Sequence, residues 1–181
     1  MKHFTPGRSS LNPGPLQRAG LLLGMCLTLA LPGCGFALRN SQNFAFDTVA
    51  VTPEKGTGVA AELARNFGAK LRPVVPAAEG LAPDAVVDIL EDVRDKAVTG
   101  VNASGQVREF QLRLRVRFRL RTPAGVELIA PTAVTLQRDM SFSESAALAK
   151  EAEERMLYRD MQTDAVQQLV RRLAAVKSLA P

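Results

Sequence analysis

Three kinds of side chain in this 181-residue chain are equipped for chemistry: two cysteines, a pair of strand carboxylates and a run of arginines. The cysteines are Cys26 and Cys34, and the only histidine is His3. Past residue 33 there is one Cys and no His, so a zinc site, a Ser-His-Asp triad or a Cys-His pair cannot be assembled there. Glu91 and Asp95 share strand parity with Val87, Ile89 and Val93, which makes them the candidates for perturbed carboxylates. An irregular strand explains them better than acid–base catalysis does. The expectation is therefore a non-enzyme without metal or cofactor. Arg113, Arg115, Arg117, Arg119 and Arg121 recur at every second position. Guanidinium groups pair bidentately with phosphate oxygens. The alternative for such a row is a solvated face of cross-strand ion pairs.

Cys34 has a covalent role written around it. Residues 1–18 are basic and rich in Pro, Gly and Ser, and Ala19–Leu31 is a charge-free apolar run. The run is too short to span a bilayer, which takes about 20 apolar residues, and fits the apolar core of an export signal. Leu31-Pro32-Gly33-Cys34 follows and resembles the bacterial lipobox. That resemblance implies a diacylglycerol on the Cys34 thiol, cleavage before Cys34 and acylation of the new amine. Two or three acyl chains hold a protein stably on a bilayer where one does so marginally. Residue 35 is Gly and not Asp, which by analogy with lipoprotein sorting points to the outer membrane.

The elements that carry these residues read coarsely from composition and period. Apolar residues are 46%, charged ones 23% and aromatics 5% with no Trp, a globular composition with a core of Val, Leu, Ala and eight Phe. The net charge of +5 falls to 20 bases against 18 acids once Lys2, Arg8 and Arg18 leave with the signal. That balance does not suit nonspecific nucleic-acid binding. Phe46–Thr52 predicts a strand. Val59, Leu63, Phe67 and Leu71 predict a helix ended by Pro73, with Thr57 as a cap. Residues 73–84 predict a loop. Ala85–Val101 predicts a strand with a bulge or register change near Glu91–Asp95. Asn102–Gly105 predicts a turn. Phe110–Arg121 alternates strictly, apolar on even positions, and predicts a half-buried strand. Leu128–Leu136 predicts a fourth strand, edge or bulged at Pro131. From Ser145 the period becomes helical, with Leu157, Met161, Ala165, Leu169, Leu173 and Val176 in one stripe, Met156 and Met161 in the core and Tyr158 in packing. The order β-α-β-β-β-α predicts an α+β two-layer sandwich, a four-stranded mainly antiparallel sheet with two helices on one face. The organisation is a removed signal over 1–33, a lipidated tether over 34–45 and a single domain over 46–177.

These pieces together resemble the LptE family of lipopolysaccharide-assembly lipoproteins. The resemblance is carried by the lipobox running into Cys34-Gly35-Phe36-Ala37-Leu38-Arg39 and by the strand Phe46–Val51 before the first helix. The hairpin Ser104–Leu112 and the helix opening Ala147–Glu153 carry the rest. It implies a lipoprotein that plugs the outer-membrane β-barrel LptD one-to-one, supports delivery of lipopolysaccharide to the cell surface and binds lipopolysaccharide. In the family a base tied to that binding stands where Lys150 is. A second base falls near Asn102 and Ala103, for which Arg108, Lys96 and Arg94 are close enough to substitute.

A simple antiparallel register about the Asn102–Gly105 turn sets Arg115 against Asp92, Arg119 against Asp88 and Arg113 against Arg94, with Arg121 near Glu127. Unpaired positive charge then gathers at the Asn102 end, on Arg94, Lys96, Arg108 and Arg113. The competing class is a periplasm-facing accessory lipoprotein of a transport or envelope machine, with neither barrel nor glycolipid.

Overall fold

The strictly alternating segment folds as an inner strand of an open sheet, with its even residues turned to two helices. A computed structural model describes residues 42–56, 58–74 and 82–179. Cys34 and its lipobox, the tether up to residue 41, and Thr57 lie outside the described residues. The elements are β1 (Val49–Thr52), α1 (Gly58–Phe67), β2 (Ala85–Val101), β3 (Val107–Arg121), β4 (Glu127–Ser141) and α2 (Ala147–Ala174). The sheet order is β1-β2-β3-β4. β1 runs parallel to β2, and the other pairs are antiparallel. This is the expected α+β architecture. Leu112, Leu114, Val116, Phe118 and Leu120 are all buried and pack with Val59, Leu63 and Phe67 of α1 and Met161, Ala165, Leu169 and Leu173 of α2.

Three local departures from the expected elements have physical causes. β1 starts at Val49 and not at Phe46, because the Asp84 carboxylate takes the donors before it. It accepts from Asp47 N–H at 3.1 Å, Thr48 N–H at 2.8 Å and Thr48 Oγ1 at 2.9 Å. These bonds, the Thr48 N–H first, hold its pKa below the ordinary value. α1 stops at Phe67 and not at Arg72, since Gly68 takes φ +52° and opens a 3-10 turn over Gly68–Lys70. Leu71 therefore leaves the helix and bridges Val49 in parallel. Met156 is 60% exposed, so it is not in the core with Met161. It lies on the outer side of α2, a little more than half a turn from Tyr158.

The irregularity in β2 is a bulge at Leu90, where the register steps between Ile89 and Glu91. Ile89 pairs with Phe118, yet Asp92 pairs with Val116 and Lys96 with Leu112. The bulge switches parity, so Asp92, Arg94 and Lys96 share the helix-bearing face while Glu91 and Asp95 leave it. The apparent misplacement of two acids on a core-facing strand is thus resolved. In the β3–β4 pairing a step between Phe118 and Leu120 falls opposite Ala130 and Pro131 on β4, an edge strand, as proline there predicts. On this edge the carbonyls of Gln137 and Ala133 already accept from Arg138 at 2.9 Å and Arg172 at 3.5 Å.

Candidate functional site

The arginine row lies on the open face of β3, and the structure supplies its counterions from β2. Arg119 and Arg121 both donate through Nε to Asp88 Oδ2, at 2.7 and 2.8 Å, and Thr52 Oγ1 donates to Oδ1 at 2.7 Å. Asp88 is 6% exposed. Burial pushes its pKa up, and the bonds from Arg121, Thr52 and Arg119 outweigh that and bring it to about 2. Glu91 is clamped by Arg115 at 2.6 Å and Arg117 at 2.9 Å. The Arg115 bond is the main cause of its lowered pKa. Arg119 also reaches Glu127 at 3.6 Å.

The register corrects the expected partners by one residue on the far side of the bulge. Arg115 faces Val93, Arg117 faces Glu91, and Arg113 faces Asp95 and not Arg94. Arg119 opposite Asp88 stands as expected. Arg121 does lie across from Glu127, but its ion pair goes to Asp88. Four of the five arginines thus share two carboxylates, Asp88 and Glu91, while Arg113 donates to Gln111 Oε1 at 3.3 Å and has no ion pair among the described residues.

The remaining candidate bases do not join Arg113. Arg94 and Lys96 sit on the opposite, helix-bearing face. Arg94 donates to Gln162 Oε1 at 2.7 Å and lies 5.4 Å over the Tyr158 ring. Tyr158 in turn donates to the Asp95 carbonyl at 2.7 Å. Lys96 pairs with Glu154 at 2.6 Å and stands 4.3 Å over Phe110. Lys150 donates to Glu153 at 2.8 Å and to Ser141 Oγ at 3.0 Å, tying the first turns of α2 to the end of β4. Arg108 has one long contact, to Gln106 Oε1 at 3.5 Å. It lines a cavity of about 190 Å³ with Ser143, Glu144 and Ser145, whose serine hydroxyls bond each other at 2.9 Å.

Sequence spacing placed positive charge at the hairpin end and could not see that most of it is already spoken for. Lys96 and Lys150 have acidic partners on α2, which a strand register does not reveal. Arg155 and Arg159 are exposed on α2 with no ion pair among the described residues. Among the described residues no cluster of His, Cys, Asp or Glu could hold a metal ion, and no helix is long and apolar enough to cross a membrane.

The family model described as "LptE: Lipopolysaccharide-assembly" matches residues 45–173. An LPS-assembly lipoprotein LptE from Photorhabdus laumondii is 29% identical over 160 residues, 86% of this chain and 85% of that protein. The solution structure of a lipoprotein B from Nitrosomonas europaea superposes with a TM-score of 0.63 at 36% identity, covering 78% of this chain and 91% of that one. A rare lipoprotein B from Shewanella oneidensis shares the fold, with a TM-score of 0.56 at 20% identity over 71% of this chain and 92% of that one.

Proposed function

We propose a function on this premise: the chain belongs to the LptE, lipopolysaccharide-assembly, family. It acts in the assembly of lipopolysaccharide as a lipoprotein of the Gram-negative envelope. The finer reading is that Cys34 anchors it to the outer membrane, that it plugs and supports the LptD β-barrel one-to-one, and that it binds lipopolysaccharide. The observation that carries this is the extent of the family match, which runs from before β1 to the last turn of α2.

The geometry supports a plug in two respects. A barrel lumen is polar, and the open face of the sheet offers it a ladder whose guanidiniums already hold carboxylates. Burying such a face costs less than burying lone cations. The sheet beneath it is hydrogen-bonded along three strands of 15 to 17 residues. For lipopolysaccharide, the bases that share the helix-bearing side or the hairpin base are Lys150, Arg108, Lys96 and Arg94. Arg113 stands apart from them on the other face.

Extraction of the full chain from outer membranes in mild detergent tests the plug. Recovery with one large barrel at a one-to-one ratio is expected. Recovery alone would overturn the plug and favour an accessory lipoprotein.

A further inference from the structure

Both helices run toward one end of the sheet. α1 begins level with Asp92, where the Val59 N–H meets that carboxylate, and the chain after it brings Leu71 against Val49 at the start of β1. α2 meets β4 in reverse order, Lys150 at Ser141, Asp164 at Arg138 and Arg172 at Ala133. The end they reach holds the starts of β1 and β2 and the Thr122–Val126 turn between β3 and β4. The Asn102–Gly105 turn is at the opposite end, roughly 45 Å away along the 15 residues of β3. Phe44 is fixed at the helix end. Its ring stacks on Phe46 at 5.0 Å and meets Phe67 edge-on at 5.5 Å. Phe44 is ten residues after Cys34, and ten residues reach at most about 35 Å. An anchor on Cys34 therefore keeps this end of the domain within that distance of the bilayer.

The charge at this end is one-sided. Arg65, Lys70, Arg72, Arg171 and Lys177 have no ion pair among the described residues. Lys70 lies 5.9 Å over the Phe44 ring, and Arg72 donates to the carbonyls of Ala69 and Leu71 at 2.9 Å, so no acid offsets either charge. The acids here are Asp47, Asp84 and Glu127. Asp84 is taken up by the Asp47 and Thr48 N–H groups, and Glu127 meets Arg119. Cations in the last turn of a helix suit its dipole, which accounts for Arg65 and Arg171. It does not account for Lys70, Arg72 and Lys177, which lie past the helix ends.

We infer that this end of the domain docks on the anionic phospholipid headgroups of the leaflet that holds the acylated Cys34, through Arg65, Lys70, Arg72, Arg171 and Lys177. The inference rests on the lipid-anchor reading above and gives the anchored domain an orientation, with the hairpin end away from the leaflet. Each base near an anionic surface is worth about fivefold in partition, and the three acids take back part of that. The headgroups thus orient a chain that its acyl chains hold. The short tether supplies the high local concentration that so weak a contact needs.

The test uses the full lipidated chain in vesicles of phosphatidylcholine, alone or with phosphatidylglycerol, free of lipopolysaccharide and carrying a headgroup quencher. A fluorophore sits on Pro123→Cys, in the turn at the docking end, or on Ser104→Cys, in the hairpin turn. Quenching at Pro123→Cys should be several-fold greater in the anionic vesicles. It should fall to the neutral level in about 1 M salt, where the screening length is about 3 Å. Ser104→Cys should stay unquenched. The triple variant Arg65→Gln, Arg171→Gln and Lys177→Gln should lose docking by about fivefold per base removed, with an unchanged melt. Equal quenching in the two vesicles, quenching at Ser104→Cys, or full quenching of the triple variant would overturn the inference. So would a triple variant whose only defect is lost barrel co-purification, which would make this end a protein contact. A wild-type chain that stays off both vesicles would instead overturn the lipid-anchor reading itself.

Discussion

Asp92 on the longest strand accepts the Val59 N–H at 2.9 Å and so caps helix α1 from outside the helix. Gly58, just before it, sits at φ +57°, and a Cβ there would collide with the same carboxylate. The helix is therefore started by a tertiary contact. Asp92→Ala should cost about 1 kcal/mol, the usual worth of an N-cap. Gly58→Ala should cost more, since it adds a backbone penalty to the collision. Thermal melts of the two variants check the order. A Gly58→Ala chain as stable as the wild type would refute the cap geometry.

Phe118 is fully buried between sheet and helices, whereas the neighbouring Arg117 side chain is 44% exposed. Phe118→Ala should cost about 3–5 kcal/mol and unfold most of the population. Arg117→Ala should cost less than about 1 kcal/mol, because Arg115 still holds Glu91. Denaturant titration separates them. The reverse ranking would mean that the two sheet faces are assigned backwards.

Asp88 is held down from 3.8 to about 2 in the folded chain. A carboxylate whose pKa is lower folded than unfolded stabilises the fold above its unfolded pKa and loses that contribution as pH falls through the folded one. The loss should fall between about pH 4 and pH 2, and should amount to at most roughly 2 kcal/mol. Asp88→Asn should destabilise at neutral pH and flatten the stability profile across that window. A profile of unchanged slope there would remove Asp88 as its source.

Lys150 stands three residues before Glu153 and bonds it at 2.8 Å. Helix-dipole reasoning alone favours an acid this early in a helix, but Lys150→Asp also breaks this pair and sets two like charges together. A stability loss of a few tenths of a kcal/mol is expected, with lipopolysaccharide retention down about tenfold if Lys150 contacts the ligand. Lys150→Gln, which keeps the length without the charge, separates the effects in one pull-down and one melt. Full retention by both variants would exclude Lys150 from the site.

Past residue 33 the sequence holds one Cys, Cys34, so on the proposed lipid anchor Cys34→Ala should abolish fatty-acid labelling of the chain. Past residue 33, 20 bases stand against 18 acids, a balance that gives weak electrostatic attraction to a membrane. Label retained by the variant would refute the lipid anchor.

The long-range order was legible where one period dominated. Phe110 to Leu120 alternates without exception, and Leu112, Leu114, Val116, Phe118 and Leu120 on that face are in the core while Phe110 is half-buried. The helix ends were not legible, because Gly68 halts α1 by a backbone conformation that an apolar stripe does not encode. The ion pairs were legible only on the near side of Leu90. Asp88 with Arg119 was readable, whereas Glu91 with Arg115 and Arg117 was hidden by a one-residue slip. The partners of Lys96 and Lys150 were illegible for another reason. They come from α2, and the rotation of a helix over a sheet is decided by packing and not by spacing within a strand.

The bulge also makes one residue of β2 dispensable to the pairing. Ile89 meets Phe118 and Glu91 meets Arg117, so the two partners on β3 are consecutive while those on β2 are not. A chain lacking Leu90 would join Ile89 directly to Glu91 and keep every inward and outward assignment on both sides. A deletion anywhere else within the regularly paired stretches would turn one half of the strand over and present its charges to the core. A single-residue deletion at the bulge should therefore leave both faces of the strand in place, which one in the middle of a regularly paired stretch should not.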